Sequence, residues 1–324
     1  MTTHPRRRFL RTTALAAALV VQAPRLARAQ TAVKVGTAVL DDYALSGPII
    51  VALDRGYFSQ ENLAAEMVPF RGGPALAQAV LSGSVLLGFG GTADVLVSRE
   101  AGRPLRIVAT HTEGNHFTLS VAPDIRSVAE LKGAAIGVTQ PGSTTWLMAR
   151  MVAAQHGLEP DRDVKLVALG DLDAQVAALG KGEIRAFVWG DGAAVPQQQG
   201  RSKVLIRLDR VTPQWISQVQ YASEEAVRRR GDTVRKTMRA IFRALKLVRE
   251  QPEEFAGVVA RRLGWSREAA LGAHRISGGL MSADGTISLV ALRAVQDTLL
   301  EHRVLTKRLP VEEHLTKDFI PVKL

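Results

Sequence analysis

Short apolar runs rich in β-branched residues recur along the chain, and stretches of helical length fall between most of them. The runs Val33–Val39, Ala65–Phe70, Val85–Phe89, Leu105–Thr110, Phe117–Ala122, Ala134–Thr139, Val164–Leu169, Ile184–Trp189 and Val204–Leu208 read as strands. Pro48–Arg55, Ala75–Leu81, Ala93–Ala101, Thr144–Gln155 and Ala174–Leu179 read as helices. A strand that gives way to a helix before the next strand has to cross over, and stacked crossovers build an α/β protein with mainly parallel sheets. From Asp232 onward the pattern is mostly helical, with breaks at Gln251-Pro252, Gly264 and Gly278-Gly279. No low-complexity segment or long linker separates the parts, so the pattern predicts lobes that share chain crossings.

The first 29 residues predict export. Arg6, Arg7, Arg8 and Arg11 form a basic head, an apolar run spans Ala14–Val21, and Ala27-Arg28-Ala29 supplies the small-x-small pattern of a cleavage site. That run is too short to cross a bilayer, which takes about 20 apolar residues. Arg6–Arg11 also matches the twin-arginine pattern R-R-x-F-L-[KR], with Pro5 where Ser or Thr is usual. An ordinary Sec signal with extra arginines is the other reading. Cleavage after Ala29 would release a 295-residue periplasmic chain that does not span the membrane.

Removal of that segment changes the charge argument. The whole chain has 42 basic and 31 acidic side chains, a net of +11, and the segment holds six arginines and no acid. The remainder, 36 basic against 31 acidic, is only +5. No stretch interleaves aromatic and basic residues as a nucleic-acid surface would, and the arginines from Arg228 to Arg249 read as the solvated side of amphipathic helices. Cysteine is absent, which excludes disulfides, thiolate metal sites and a cysteine nucleophile.

An internal echo suggests two similar lobes. Gln78–Val85 aligns with Ala177–Ile184, each a helix end closed by glycine, Gly83 or Gly182, and followed by a strand that ends at Gly90-Gly91 or Trp189-Gly190.

Gly56-Tyr57-Phe58 with Glu61-Asn62-Leu63, then Gly72-Gly73, then Ser82-Gly83-Ser84-Val85, resembles the first lobe of the nitrate/sulfonate/taurine group of ABC-transporter substrate-binding proteins. Glu130–Val138 is similar to the motif that opens the second lobe of that group. Asn62 stands where the group usually has Gly, and Leu86 and Arg185 where it often has an acid. The Cys-rich motif of the pyrimidine-synthesising yeast relatives is missing, and their activity with it. The resemblance implies a type II periplasmic binding protein, a monomer without a cofactor or catalytic residue. Lobe one would comprise residues 30–122 and 214–324, lobe two residues 123–213, with a ligand cleft between them. Its implied partners are an ABC permease and the ATP-hydrolysing subunit of that permease.

In open α/β sheets ligands bind beyond the carboxyl ends of strands, against helix N-termini. Applied to these strands, that rule selects Asp41, Asp42, Tyr43, Arg71, Gly72, Gly73, Gly90, Gly91 and Thr92 from lobe one. From lobe two it selects Gln140, Gly142, Ser143, Thr144, Trp189 and Asp191. Arg71 and the helix start at Ser143 favour a small anion such as a sulfonate, carboxylate or nitrate, whereas Asp41, Asp42 and Asp191 suit an amine. Ser143 also reads as a plain helix cap, Arg71 as a surface arginine and Trp189 as core.

Two rival chemistries leave traces. Gly88–Ala93 matches G-x-G-x-x-A at a strand-to-helix turn, the fingerprint of an NAD(P)- or flavin-dependent oxidoreductase. His111, Glu113 and His116 offer metal ligands, although they read first as polar loop residues because no third histidine is near. No G-x-S-x-G elbow marks a hydrolase.

Overall fold

The computed structural model describes Met1 and residues 29–324, so the export signal lies almost wholly outside the described residues. In chain order the elements are β1 (Thr31–Thr37), α1 (Tyr43–Asp54), α2 (Tyr57–Gln60), β2 (Leu63–Pro69), α3 (Gly73–Leu81), β3 (Leu87–Gly91), α4 (Thr92–Glu100) and β4 (Leu105–Thr112). The second lobe adds β5 (Thr118–Val121), β6 (Ala135–Val138), α5 (Thr144–Gln155), β7 (Lys165–Ala168), α6 (Leu172–Gly180), β8 (Ala186–Trp189), α7 (Ala194–Gln198) and β9 (Lys203–Arg207). The chain then returns through β10 (Gln218–Ser223) to α8 (Glu224–Glu250), α9 (Pro252–Leu263), α10 (Arg267–Ser277) and α11 (Leu289–Glu301). Among the described residues, no helix is long and apolar enough to cross a membrane.

Two five-stranded sheets result, ordered β2-β1-β3-β10-β4 and β7-β6-β8-β5-β9. Each is mixed. Four strands point one way, while β10 in the first sheet and β5 in the second run against both of their neighbours. The reversed strand in each sheet is one that the chain enters on crossing from the other lobe. The echo seen in the sequence therefore has a counterpart in topology, with β1, β2 and β3 matched by β6, β7 and β8. Gly83 and Gly182 close the equivalent helices α3 and α6 at φ of 75° and 74°, where a side chain would be strained. Asn62 holds a left-handed φ of 59° at the corresponding turn before β2.

Three expectations need correction. The first crossing falls between Thr112 and Thr118, before the expected boundary at 122, because β5 already pairs with β8 and β9 of the second sheet. Strand β10 went unrecognised because Gln218 and Gln220 look like solvent positions, yet both are buried. Gln218 accepts a hydrogen bond from Thr112, and the Gln220 amide donates to the ring of His111, so each side chain has a polar partner inside the sheet.

Helix α1 begins at Tyr43, well before Pro48, which lies inside it. Proline has no N–H to donate to the carbonyl four residues back, which here belongs to Ala44. The His111 ring supplies the missing donor through Nε2, and its Nδ1 is left to accept from Gln220. Burial holds His111 down to about 4, so the ring is neutral, as that arrangement requires. A residue that resembled a metal ligand in sequence thus completes a helix. The α1 helix, buried from Tyr43 to Ala52, packs against α8 and α9 and sets its N-terminus at the junction of the two lobes.

Candidate functional site

Between the lobes lies a cavity of about 40 Å³. It is lined by Asp42, Gly72, Gly73, Gly91 and Asp94 from lobe one and by Thr139, Ser143, Thr144, Thr145, Trp189 and Gly190 from lobe two, with Val39, Leu45, Phe117 and Gln218 completing the wall. It sits beyond the carboxyl ends of β1, β3, β6 and β8, where α1, α3, α4 and α5 begin. About 40 Å³ holds roughly two or three waters, so an organic ligand enters only if the lobes part.

The N-terminus of α1 is sealed by carboxylates. Asp42 caps it, its Oδ1 accepting from the Leu45 N–H at 2.9 Å. Asp191 reaches across from lobe two and accepts from the Tyr43 and Ala44 N–H groups at 2.6 and 2.8 Å. This approach demands glycine on both sides of Asp191. A Cβ on Gly190 would overlap the Asp42 carboxylate, and one on Gly192 would overlap the Asp41 carbonyl oxygen. The other Asp42 oxygen faces Nε2 of His116 at 3.1 Å, and both side chains are fully buried. Burial raises the cost of each charge, but the pair offsets it, holding Asp42 below and His116 above their ordinary values. Burial, and then the Asp42 charge, push Asp191 up to about 8.

Asp42, His116 and Asp191 place one ligand atom each within 4.8 Å of one another, the spacing of a metal site. Their remaining valences are used, however. His116 Nδ1 bonds Ser217 at 2.9 Å, and the Gln218 amide lies 3.0 Å from Nε2. A cation there would have to break the hydrogen bonds that close α1. The trio works as an interlobe fastening.

The start of α5 is finished differently. Ser143 accepts from the Trp146 N–H at 3.3 Å, and its hydroxyl lies within 3.0 Å of both Thr139 and Thr145. The cap is neutral, so the positive end of this helix keeps its field, and Ser143, Thr144 and Thr145 present hydroxyl-bearing residues to the cavity. Across the cleft α3 starts at Gly72-Gly73 without a side-chain cap.

Of the residues selected by sequence, Asp42, Gly72, Gly73, Gly91, Ser143, Thr144 and Trp189 meet at the cavity. Trp189 is buried and donates its ring N–H to the Asp41 carbonyl at 2.7 Å, so Asp41 serves through its backbone, while burial and then Asp173 and Asp171 push its carboxyl up to about 6. Tyr43 turns away, its ring edge-on to Phe255 at 5.1 Å. Gly90, Thr92, Gln140, Gly142 and Asp191 lie outside the lining; Thr92 donates to the Ile216 carbonyl, and the Gln140 side chain covers Gly72. Arg71 also lies outside it, on the rim, where its guanidinium bonds Asp171 of lobe two at 2.8 Å and rests over Gly170. It is drawn there because Asp171, the cap of α6, is the acid facing it.

Asp94 is the polar residue that sequence reasoning passed over. It lies three residues beyond Gly91, in the first turn of α4, and Oδ2 accepts the Gly91 N–H at 2.9 Å. An acid three residues into a helix is a capping signal that could have revealed it. Its carboxylate also occupies the end of the Gly88–Ala93 turn, where a pyrophosphate would need that N–H, and Thr92 N–H is spent on the Ser217 carbonyl. The dinucleotide fingerprint is therefore filled by the protein itself.

Comparison with known proteins accords with this architecture. Residues 45–255 match the family described as NMT1/THI5 like. The chain belongs to that family. Among solved structures it is similar to the alkanesulfonate-binding protein SsuA from Xanthomonas axonopodis pv. citri bound to MOPS, at 22% identity and a TM-score of 0.73 over 90% of this chain and 100% of that one. It also resembles a ligand-binding component of an ABC-type import system from Staphylococcus aureus with zinc bound, at 16% identity and 0.75 over 91% and 99%. The periplasmic nitrate-binding protein NrtA from Synechocystis PCC 6803 is similar at 16% identity and 0.63 over 74% and 69%. At these identities the likeness establishes a shared fold, that of periplasmic binding proteins. No curated protein matches the chain.

Proposed function

We propose that this family member is the exported substrate-binding component of an ABC importer, capturing a small organic or inorganic anion such as a sulfonate, carboxylate or nitrate and passing it to a permease driven by an ATP-hydrolysing subunit. The observation that carries the reading is an interlobe cavity into which the N-terminus of α5 opens behind a neutral cap. An anion there would meet helix N–H groups and the hydroxyls of Ser143 and Thr144, and closing the lobes would strengthen those bonds by excluding water. The sulfonate- and nitrate-binding neighbours support the same class of cargo. Export through residues 1–29, by the twin-arginine or the Sec route, belongs to this reading, and replacing Arg6 and Arg7 by Lys would strand the precursor only in the first case.

The test is a thermal-shift screen of the processed protein with small sulfonates, carboxylates, nitrate and nicotinamide or flavin cofactors. A ligand at about 100 times its Kd adds roughly 2.7 kcal/mol to the folded state. Stabilisation by an acid, reduced by Ser143→Ala because the helix N–H groups and Thr144 remain as donors, is the expected result. Saturable binding of a dinucleotide in its place would overturn the reading in favour of an oxidoreductase.

A further inference from the structure

A second cavity, of about 590 Å³, shares no lining residue with the interlobe one. Both chain crossings contribute to its wall, Glu113 from the crossing between β4 and β5 and residues 213–216 from the crossing between β9 and β10. Val290, in the first turn of α11, adds an apolar side chain that is 63% exposed. Two residues of this wall hold a buried polar atom without a partner: Trp215 its indole N–H and Thr110 its hydroxyl. Trp215 is only 3% exposed, and a buried donor left unpaired is both costly and rare. Among the described residues Glu113 is the one charged group in the wall, and it already accepts from the Ser282 hydroxyl at 2.6 Å.

We infer that this cavity is a second small-molecule site, for a neutral molecule with a compact apolar body and a carbonyl or hydroxyl oxygen. Its volume falls within the roughly 300–1,000 Å³ of small-molecule pockets. Pro213, Ile216, Val290 and Ala291 offer apolar surface to the body. The ligand oxygen accepts from the Trp215 N–H, a group that can only donate, while the Thr110 hydroxyl can serve as either partner. Glu113 brings a negative charge to a wall that holds no lysine or arginine among the described residues, so an acid is disfavoured here, whereas the interlobe cavity suits one. The indole N–H is shielded from bulk water, and Gln214, the exposed residue before it, is the side chain that an entering molecule moves. An occupant touches both crossings, the segments that must turn when the lobes part. The site stands apart from the anion reading, and its test needs no cargo.

The test is a titration of the nitrogen-labelled processed protein with benzamide, benzyl alcohol and benzoate at pH 7, followed by NMR at the tryptophan indole N–H signals. Benzamide and benzyl alcohol should shift the Trp215 signal saturably, with a Kd in the millimolar range that suits probes of this size. Benzoate should bind about 3-fold or more weakly, from the repulsion of one exposed charge. Trp215→Phe, which keeps an aromatic ring and removes the donor, should weaken benzamide about 2- to 10-fold, the range of one neutral hydrogen bond. Binding to that variant is read at the Ile216 backbone amide, and the comparisons in the parent hold whether or not the variant folds. No saturable change at Trp215, or a response at Trp189 of the interlobe cavity in its place, overturns the site. Benzoate binding as tightly as benzamide, or benzamide binding undiminished by Trp215→Phe, overturns the ligand class.

Discussion

The equivalent strands β1 and β6 each run into a helix at the cleft, and the two helix starts have opposite chemistry. In lobe one every early N–H of α1 is taken by a protein carboxylate, from Asp42 or from Asp191 of the facing lobe. In lobe two the equivalent α5 carries only hydroxyls, from Ser143 with Thr139 and Thr145 beside it. The next pair of helices reverses the assignment, since α3 starts at an uncapped Gly72 and α6 at Asp171. One architecture, used twice, thus yields one helix end that fastens the lobes and another left available to a ligand. A helix dipole neutralised from within is structure; one met by neutral groups can serve recognition.

The fastened end can be broken directly. Asp42→Ala removes the cap of α1 and leaves His116 buried without its counter-charge. Losing one partner of a buried pair costs about 3–5 kcal/mol, so urea unfolding should show a loss of that order. Ser143→Ala, which removes only a neutral cap, should cost about 1 kcal/mol. Similar losses in the two variants would show that the helix ends do not divide the work as described.

Asp94 sharpens the contrast within lobe one, because it is an acid at a helix start with no cation to justify it. Its folded value is raised from 3.8 to about 7, chiefly by burial. Between those limits the folded protein holds a proton that the unfolded chain has released, so stability falls as pH rises from about 4 to about 7 and then levels. Asp94→Asn removes this slope while keeping an acceptor for the Gly91 N–H. In the absence of ligand the variant should gain about 4 kcal/mol over the parent at pH 8 and little at pH 4. Unfolding curves across that range check it, and the difference between the two proteins cancels the contributions of Asp191 and His116. A parent-to-variant difference independent of pH would mean that Asp94 is already ionised and solvated.

The sequence carried most of this architecture because strands buried on both faces are apolar runs and the glycines at Gly83 and Gly182 mark helix ends. The strand-end rule likewise found the glycines and hydroxyls of the cavity, which are local consequences of strand-to-helix turns. What it lacked was pairing across the lobes. Nothing near Asp191 says that it will cap a helix of the other lobe, nothing near His111 that Pro48 will need its ring, and nothing near Gln218 that its strand is internal. Those roles come from residues brought together over long sequence separations, where composition and periodicity carry no signal. Asp94 differs: its position three residues past Gly91 is a local signal, a helix-capping acid, which the strand-end rule, selecting only residues up to Thr92, does not reach.

Arg71 gives the finest test, since it pairs with the cap of the other acid-sealed helix, α6. In sequence it looked like the anion's main partner; in the structure its guanidinium spans the rim to Asp171, with both side chains well exposed at 67% and 45%. An exposed pair of this kind contributes about 0–1 kcal/mol, reduced further by salt. It can favour the closed lobes only by that amount, which bounds its effect on affinity at about 5-fold. Arg71→Ala should therefore leave the unfolding midpoint nearly unchanged and weaken capture of an anionic ligand less than Ser143→Ala does. The small loss should vanish in about 0.5 M salt, whereas a contact made inside the cavity would persist. A loss of 10-fold or more that survives salt would place the guanidinium on the ligand in the bound state, and the rim pair would then be a contact that capture replaces.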